Sequence, residues 1–181
     1  SNTAPNENPL TVLIPAWLSI STGYLALDKP LRAMEAYMRS KHLFIEAEYK
    51  KYLKSDGDLD ADVIGKTSAR GYGYPYSDFD KTYSALFLNL YPIAQSVFRE
   101  AAHDLHSITS LMRRKDYSEE DSREVETNAL KKLNDVVGFC PATDLSVLIQ
   151  LGWYMFKVRR DTDMAKHYFS IARKIKGTNL N

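Results

Sequence analysis

The sequence predicts an all-α protein of seven or eight helices, arranged as stacked antiparallel hairpins. Hydrophobic residues make up 44% of the 181 residues and recur at helical intervals through most of the chain. Seven prolines and eight glycines are few for a turn-rich β fold of this length. A polar break between two amphipathic segments near the C-terminus is typical of a helical hairpin. We therefore expect a single α-helical domain over residues 10–177, because a chain of this length can bury one core.

The chain begins with a polar segment followed by an apolar one. Residues 1–9 are small and polar without periodicity, which predicts a disordered tail. Residues 10–27 approach the length of a membrane span, but Pro15, Gly23 and four hydroxyl residues interrupt the apolar run. We interpret this run as a buried helix and predict no membrane span. The compartment stays open between cytoplasmic and secreted or periplasmic, the latter with a signal peptide removed.

The second predicted helix covers residues 31–53 and is amphipathic. Its apolar side comprises Met34, Met38, Ile45, Tyr49 and Tyr52. Its predicted solvent side comprises Arg39, Lys41, Glu46, Lys50 and Lys51.

An aspartate-rich segment, residues 55–62, follows this helix and invites comparison with a calcium loop. Counted from Asp56, the sixth position holds Ala61 instead of glycine and the twelfth holds Thr67 instead of glutamate. The segment is better interpreted as an acidic turn that caps a short helix over residues 60–67.

The segment over residues 70–79 has a composition of its own. Tyr72, Tyr74 and Tyr76 alternate with two glycines and a proline, which excludes a helix. Tyrosine combines a large ring with a hydroxyl and is common at recognition surfaces. A lid that folds back onto the helices is the alternative, and the sequence leaves both open.

Ser77 and Asp80 have the spacing of a capping box, which predicts a helix from there to Leu90. Tyr91–Pro92 should bend or break that helix, and a second segment should run over residues 93–112.

Within the second segment, Glu100, His103 and His106 lie on one helical face. Paired Glu-x-x-His motifs bind metal in di-iron bundles, but the chain has no second copy. We predict neither metal nor cofactor, and keep a metal-dependent enzyme, completed by Glu46 or Glu48, as an alternative.

A basic loop over residues 113–117 precedes a helix that starts at Ser118 and ends before Gly138. Its three basic residues, Arg113, Arg114 and Lys115, are a weak basis for nucleic-acid binding in a chain of net charge +1. The only cysteine, Cys140, excludes an internal disulfide and lacks a basic neighbour in sequence, so we predict a packed thiol.

Residues 144–176 predict the final hairpin. The first apolar stripe comprises Leu145, Leu148, Ile149, Gly152 and Met155, and the second comprises Met164, Tyr168, Ile171 and Ile175. The polar break covers residues 159–163, where Asp161 or Thr162 can cap the second helix.

The second helix of this hairpin carries a small-aromatic-small motif, Ala165, Phe169 and Ala172, after a Leu151–Gly152 pair. The pattern resembles the second half of a tetratricopeptide repeat, although the spacing between the pair and Ala165 is one residue longer. The same motif recurs as Ala33, Tyr37 and Ser40, and as Ala94, Phe98 and Ala101. A divergent repeat and ordinary close helix packing both explain the three copies.

The resemblance implies stacked hairpins with a concave groove, and a closed bundle is the alternative. The predicted groove residues are Trp17, Tyr24, Trp153, Tyr154 and Lys157, with the tyrosine segment at the rim. Because no catalytic set stands out, we predict a non-catalytic module that binds a protein or peptide, such as an adaptor, chaperone or regulator. An immunity or inhibitor protein that covers the active site of a toxin or enzyme is the close alternative.

Overall fold

The computed structural model describes residues 9–49 and 74–177, and in these ranges it contains seven α-helices and no strand. The all-α prediction is therefore confirmed. The helices are α1 (Pro9–Ala26), α2 (Pro30–Tyr49), α3 (Asp78–Thr82), α4 (Ser84–Leu111), α5 (Glu119–Val136), α6 (Pro141–Tyr154) and α7 (Thr162–Gly177), with a π-helical turn at Met155–Arg159 after α6.

The helices pack as three hairpins: α1 against α2, α4 against α5, and α6 against α7. Helix α4 is central, because it also contacts α2, α3 and α6. The prediction that the helices pack as hairpins is therefore confirmed.

The recurring motif does not mark equivalent positions in the three hairpins. Its copies lie in the second helix of the first hairpin, the first helix of the second, and the second helix of the third. The small residues at both ends of every copy are buried, whereas the aromatic residue is fully buried only at Tyr37. The motif therefore marks close helix contacts, which is the packing explanation.

The apolar run forms a helix, α1, as predicted, but only one face of this helix is buried. Ser21 Oγ donates to the Ala33 carbonyl at 2.6 Å, and Ser40 Oγ donates to the Ile14 carbonyl at 2.8 Å, so hydroxyl groups link α1 and α2. On the opposite face, apolar side chains such as Val12 and Ile20 are exposed.

The capping box at Ser77 is confirmed: the Ser77 side chain accepts from the Asp80 amide, and the Asp80 carboxylate accepts from the Ser77 amide. Tyr91–Pro92, predicted to bend or break the helix, does not end it. The chain breaks at Tyr83 instead, and α4 continues through Pro92. Leu88, whose carbonyl loses its helical partner at Pro92, is exposed, so water can satisfy that carbonyl at low cost.

Gly152 of α6 lies directly beneath the ring of Phe169 on α7. A Cβ atom at this position would lie 2.8 Å from Phe169 Cε1, closer than real contacts allow. We expect Gly152→Ala to change the free energy of unfolding by no more than about 1 kcal/mol, because the 38% exposed Phe169 ring can shift and alanine is the better helix former, measured by urea denaturation. The same change in a Phe169→Ala background removes the clash and should raise the free energy of unfolding by about 1 kcal/mol, the gain in helix propensity. An equal change in both backgrounds would contradict this contact.

Some predictions fall outside the described residues. They are the disordered tail predicted for residues 1–9, apart from Pro9, which begins α1; the end of the second helix over residues 50–53; the aspartate-rich turn; the short helix over residues 60–67; and Tyr72.

Candidate functional site

A cluster of exposed apolar side chains, which includes the predicted site residue Trp153, lies on α6 and on the π-helical turn after it. Ile149, Trp153 and Phe156 follow one another at helical spacing and are 44%, 47% and 49% exposed. With Lys157 they form what we call the aromatic face. Large apolar side chains that are half exposed in a line are typical of surfaces that contact a partner.

Lys157 lies over this face. Its Nζ atom is 5.0 Å from the centroid of the Trp153 ring and 5.8 Å from that of Phe156. Both distances suit a cation–π interaction, which holds the ammonium group against the rings. Among the described residues, no carboxylate lies within ion-pair distance of Lys157, so its charge is available to a partner.

The π-helical turn forms the C-terminal end of the aromatic face. It ends at Arg160, which has a left-handed backbone with φ of 56°, and the Asp161 amide donates to the Met155 carbonyl at 3.0 Å. The Asp161 carboxylate then accepts from the Met164 amide at 3.0 Å, the predicted cap of α7. π-Helical turns are frequent at functional sites, because they displace side chains from regular helical positions.

Helix α4 borders the aromatic face through His106, whose ring centroid lies 6.4 Å from that of Trp153. A notch between these helices has a volume of about 20 Å³. That is room for about one water molecule. The notch is therefore too small to be a pocket for a small ligand.

Tyr154, which was predicted to line the groove, is 3% exposed and lies on the other side of α6. Its hydroxyl donates to Glu126 Oε2 at 2.7 Å, and Arg159 also contacts that carboxylate. Burial, followed by the hydrogen bond to Glu126, raises the pKa of Tyr154. Tyr154 therefore links α6 to α5 and is not part of the aromatic face.

Trp17 and Tyr24 do not join the aromatic face either. Both lie half-buried on α1, which packs chiefly on α2, and Arg39 Cζ lies 5.3 Å from the Trp17 ring centroid. Of the predicted groove residues, the structure brings together Trp153 and Lys157.

The described part of the tyrosine segment folds back onto the helices. The Tyr76 ring packs edge-on against Phe87 at 5.3 Å, and Tyr74 is half-buried against the core. The Pro75 carbonyl accepts from the Ala142 amide at 3.1 Å, which ties the segment to the start of α6. This arrangement matches the lid alternative, although Tyr76 keeps 38% of its surface exposed.

Lys41 and Asp80 form a buried ion pair, and this contradicts one prediction. Lys41 was expected on the solvent side of α2, yet it is 3% exposed. Its Nζ lies 2.9 Å from Asp80 Oδ2 and donates to the Phe139 carbonyl at 2.6 Å. The Asp80 carboxylate also accepts from the Tyr37 hydroxyl at 2.6 Å and from Ser77 Oγ at 2.7 Å.

This network has a structural role. The Asp80 carboxylate is surrounded by donors and its counter-charge, as a buried carboxylate requires. Burial, and then the neighbouring Asp80 charge, raises the pKa of Tyr37, so its hydroxyl remains a donor. The network joins α2, the start of α3 and the α5–α6 connection.

Cys140 is a buried thiol, as predicted, with Sγ 3.2 Å from Thr143 Oγ1. Burial raises its pKa to about 11, which keeps the thiol protonated and unreactive at neutral pH.

The three metal candidates do not converge on a site. The His103 side chain is 85% exposed, and Lys132 Nζ lies 3.6 Å from Glu100 Oε2 and 2.8 Å from Asp104 Oδ2. His106 faces the indole ring of Trp153. In the described ranges, no three potential ligands of the histidine, cysteine or carboxylate type form a metal-binding group. The side chains of Glu46 and Glu48 lie outside the described part of the chain.

Of the three basic residues in the loop, Arg114 is paired within it, through two hydrogen bonds to the Asp116 carboxylate, at 3.0 and 2.7 Å. No helix in the described ranges is long and apolar enough to cross a membrane.

No known protein family matches the chain, and neither a curated protein nor a solved structure matches it.

Sequence reasoning missed two members of the aromatic face. Phe156 was not considered, and Ile149 was assigned to the buried stripe of α6. The available signal was the spacing of Ile149, Trp153 and Phe156, which forms a second apolar stripe beside the one that is buried.

Proposed function

We propose that the chain is a non-catalytic module that binds a protein or peptide through the aromatic face. The observation that carries this proposal is the exposed line of Ile149, Trp153 and Phe156, with the Lys157 ammonium group, which no carboxylate of the described residues pairs, above the Trp153 and Phe156 rings. Tryptophan in such a position is the residue type most often responsible for binding energy at protein interfaces.

The chemistry of the face indicates the partner. The three apolar side chains span about two helical turns, which suits an apolar ridge on a helix or an extended segment. Lys157 favours a carboxylate at the edge of that ridge, because pairing there does not require the ammonium group to leave the rings. The expected partner is a segment with an apolar ridge flanked by an acidic residue.

The test is a capture experiment from a native lysate followed by titration of the purified partner. We expect a stoichiometric partner whose affinity falls at least about thirtyfold with Trp153→Ala, the loss typical of a central interface tryptophan. Lys157→Met should weaken binding less and should reduce its dependence on salt.

The matched control is Leu88→Ala, which shortens an exposed apolar residue of α4 outside the aromatic face. It should leave the affinity unchanged, and circular dichroism should show that each variant stays folded. A partner that tolerates Trp153→Ala but is lost with Tyr76→Ala would move the site to the tyrosine segment and overturn this proposal. If the partner is an enzyme or toxin, inhibition that depends on Trp153 would assign the chain to the inhibitor class.

A further inference from the structure

A cavity lies on the side of α6 away from the aromatic face. It opens between the C-terminal end of α4, the N-terminal half of α5 and the π-helical turn, and it has a volume of about 250 Å³. Pockets for drug-sized molecules have volumes of about 300–1,000 Å³, so this cavity suits a smaller ligand. We call it the polar cavity, and the charged residues that line it are Glu119, Arg123, Glu126 and Arg159.

The polar cavity lies where the helical pattern of α5 calls for apolar residues. Ala129, Leu133 and Val136 form the buried stripe of this helix, and all three are fully buried. Continued towards the N-terminus at helical spacing, the same stripe reaches Glu126 and Ser122. Polar residues in the path of a core stripe cost stability, and such conflicts are expected at functional sites.

Glu126 has one carboxylate oxygen without a partner. Its Oε2 atom accepts from the Tyr154 hydroxyl and from Arg159, whereas Oε1 accepts no hydrogen bond from any described residue. The Glu126 side chain is only 16% exposed. A carboxylate oxygen with so little access to water favours a charged donor, and the ammonium group of a ligand can supply one.

Arg123 provides the opposite charge on the same face of α5. Among the described residues its guanidinium group has no ion-pair partner, although Glu119 precedes it at a spacing that often pairs. Arg123 and Glu126 are three residues apart, so their Cβ atoms are about 5–6 Å apart. A guanidinium group can bind a ligand carboxylate through two parallel hydrogen bonds.

We propose that the polar cavity binds a free α-amino acid with an apolar side chain. The ammonium group of the ligand donates to Glu126 Oε1 and its carboxylate binds Arg123, so the ligand's two adjacent charges match two neighbouring side chains. Ile108, Met112 and Val158 form the apolar part of the wall, which the ligand side chain covers.

The charge of the polar cavity favours this class of ligand. Its two glutamates and two arginines sum to a formal charge of zero. A ligand with both charges and no net charge therefore fits better than a simple anion or a simple cation, each of which meets a like charge. This inference goes beyond the proposed function and does not depend on the aromatic face.

Isothermal titration calorimetry of the full chain with small ligands tests the site. We expect L-leucine and L-methionine to bind with a Kd of about 1 mM or tighter, a strength that ligands of so few atoms can reach. Glycine should bind at least about tenfold more weakly, because it leaves the apolar wall uncovered. N-acetyl-L-leucine lacks the ammonium group and L-leucinamide lacks the carboxylate, so each should also bind at least about tenfold more weakly than L-leucine.

Two variants locate the ligand. Arg123→Met and Glu126→Gln should each weaken the binding of L-leucine at least about tenfold. Arg123 is exposed, and glutamine keeps an oxygen that can accept from Tyr154, so circular dichroism should show both variants folded. Arg173→Met and Glu124→Gln are the matched controls: they make the same changes at exposed residues that do not line the cavity, and they should leave the affinity unchanged.

The proposal is overturned if neither L-leucine nor L-methionine binds at millimolar concentration, or if either variant binds L-leucine as wild type does. Equal affinity for N-acetyl-L-leucine would indicate an anion site, and equal affinity for L-leucinamide would indicate a cation site. Both results would contradict the proposed match of two charges. Each of these failures leaves the Trp153-dependent capture unaffected, so the two proposals fail separately.

Discussion

Replacing Lys41 with methionine is expected to lower the free energy of unfolding by about 3–5 kcal/mol, the range for breaking a buried ion pair on one side. Methionine keeps most of the length of the lysine side chain but leaves the Asp80 carboxylate buried without its counter-charge. The Phe139 carbonyl also loses its donor. Urea denaturation of wild type and variant measures this loss, which is a large fraction of the stability of a typical domain.

The control for this prediction is a double-mutant cycle with Asp80→Asn. Asparagine is neutral and can still accept from the Tyr37 hydroxyl, so the double variant no longer holds an unpaired charge. We expect the double variant to be more stable than the sum of the single effects predicts, with a coupling energy of about 1–3 kcal/mol. Additive effects would mean that the two side chains do not interact as the structure places them.

The position of Lys41 shows what the sequence can and cannot reveal. Met34, Met38, Lys41 and Ile45 follow the helical spacing of one buried stripe, so the residue lies on the apolar side of α2 by periodicity alone. The prediction placed it in water because lysine is rarely buried unless it is paired. Its partner, Asp80, lies 39 residues along the chain, and no local pattern identifies such a pair.

The same distinction between local and long-range signals explains which helix boundaries the sequence predicts correctly. Starts marked by local capping groups, at Ser77 and Ser118, lie where the sequence predicted them. Pro92 does not end α4, because the cost of a proline within a helix depends on whether the freed carbonyl can reach water. That depends on which face of α4 is buried, and therefore on packing that the sequence does not specify.

For the candidate site, the sequence identified Trp153 and Lys157 but not their surroundings. Neighbouring residues in a helix point about 100° apart, so Trp153 and Tyr154 could not both face the same groove. In the structure Tyr154 is the buried one of the two, and its hydroxyl donates to the carboxylate of Glu126 on α5. That contact joins residues 28 positions apart and can be seen only in the folded chain.

Replacing Phe139 with alanine is expected to cost about 3–5 kcal/mol of unfolding free energy, the range for removing a buried phenylalanine. The Phe139 side chain is fully buried, and its ring stacks on Phe87 at 5.3 Å and lies 5.5 Å from Tyr37. Removing the ring opens a cavity between α2 and α4. It also loosens the packing that holds the Phe139 carbonyl, which accepts from Lys41. Phe139→Leu should cost less, because it refills most of the volume.

Phe156→Ala makes the same chemical change at a residue that is 49% exposed, and it separates stability from binding. Because half of the Phe156 ring is already in water, we expect a loss of no more than about 0.5 kcal/mol, typical of surface substitutions. The same variant should weaken capture of a partner, since the ring contributes to the aromatic face. Phe139→Ala should instead leave the affinity of the folded fraction unchanged and reduce only the amount of folded protein. A Phe156→Ala variant that unfolds as readily as Phe139→Ala would show that the ring belongs to the core, and the aromatic face would lose one of its three apolar members.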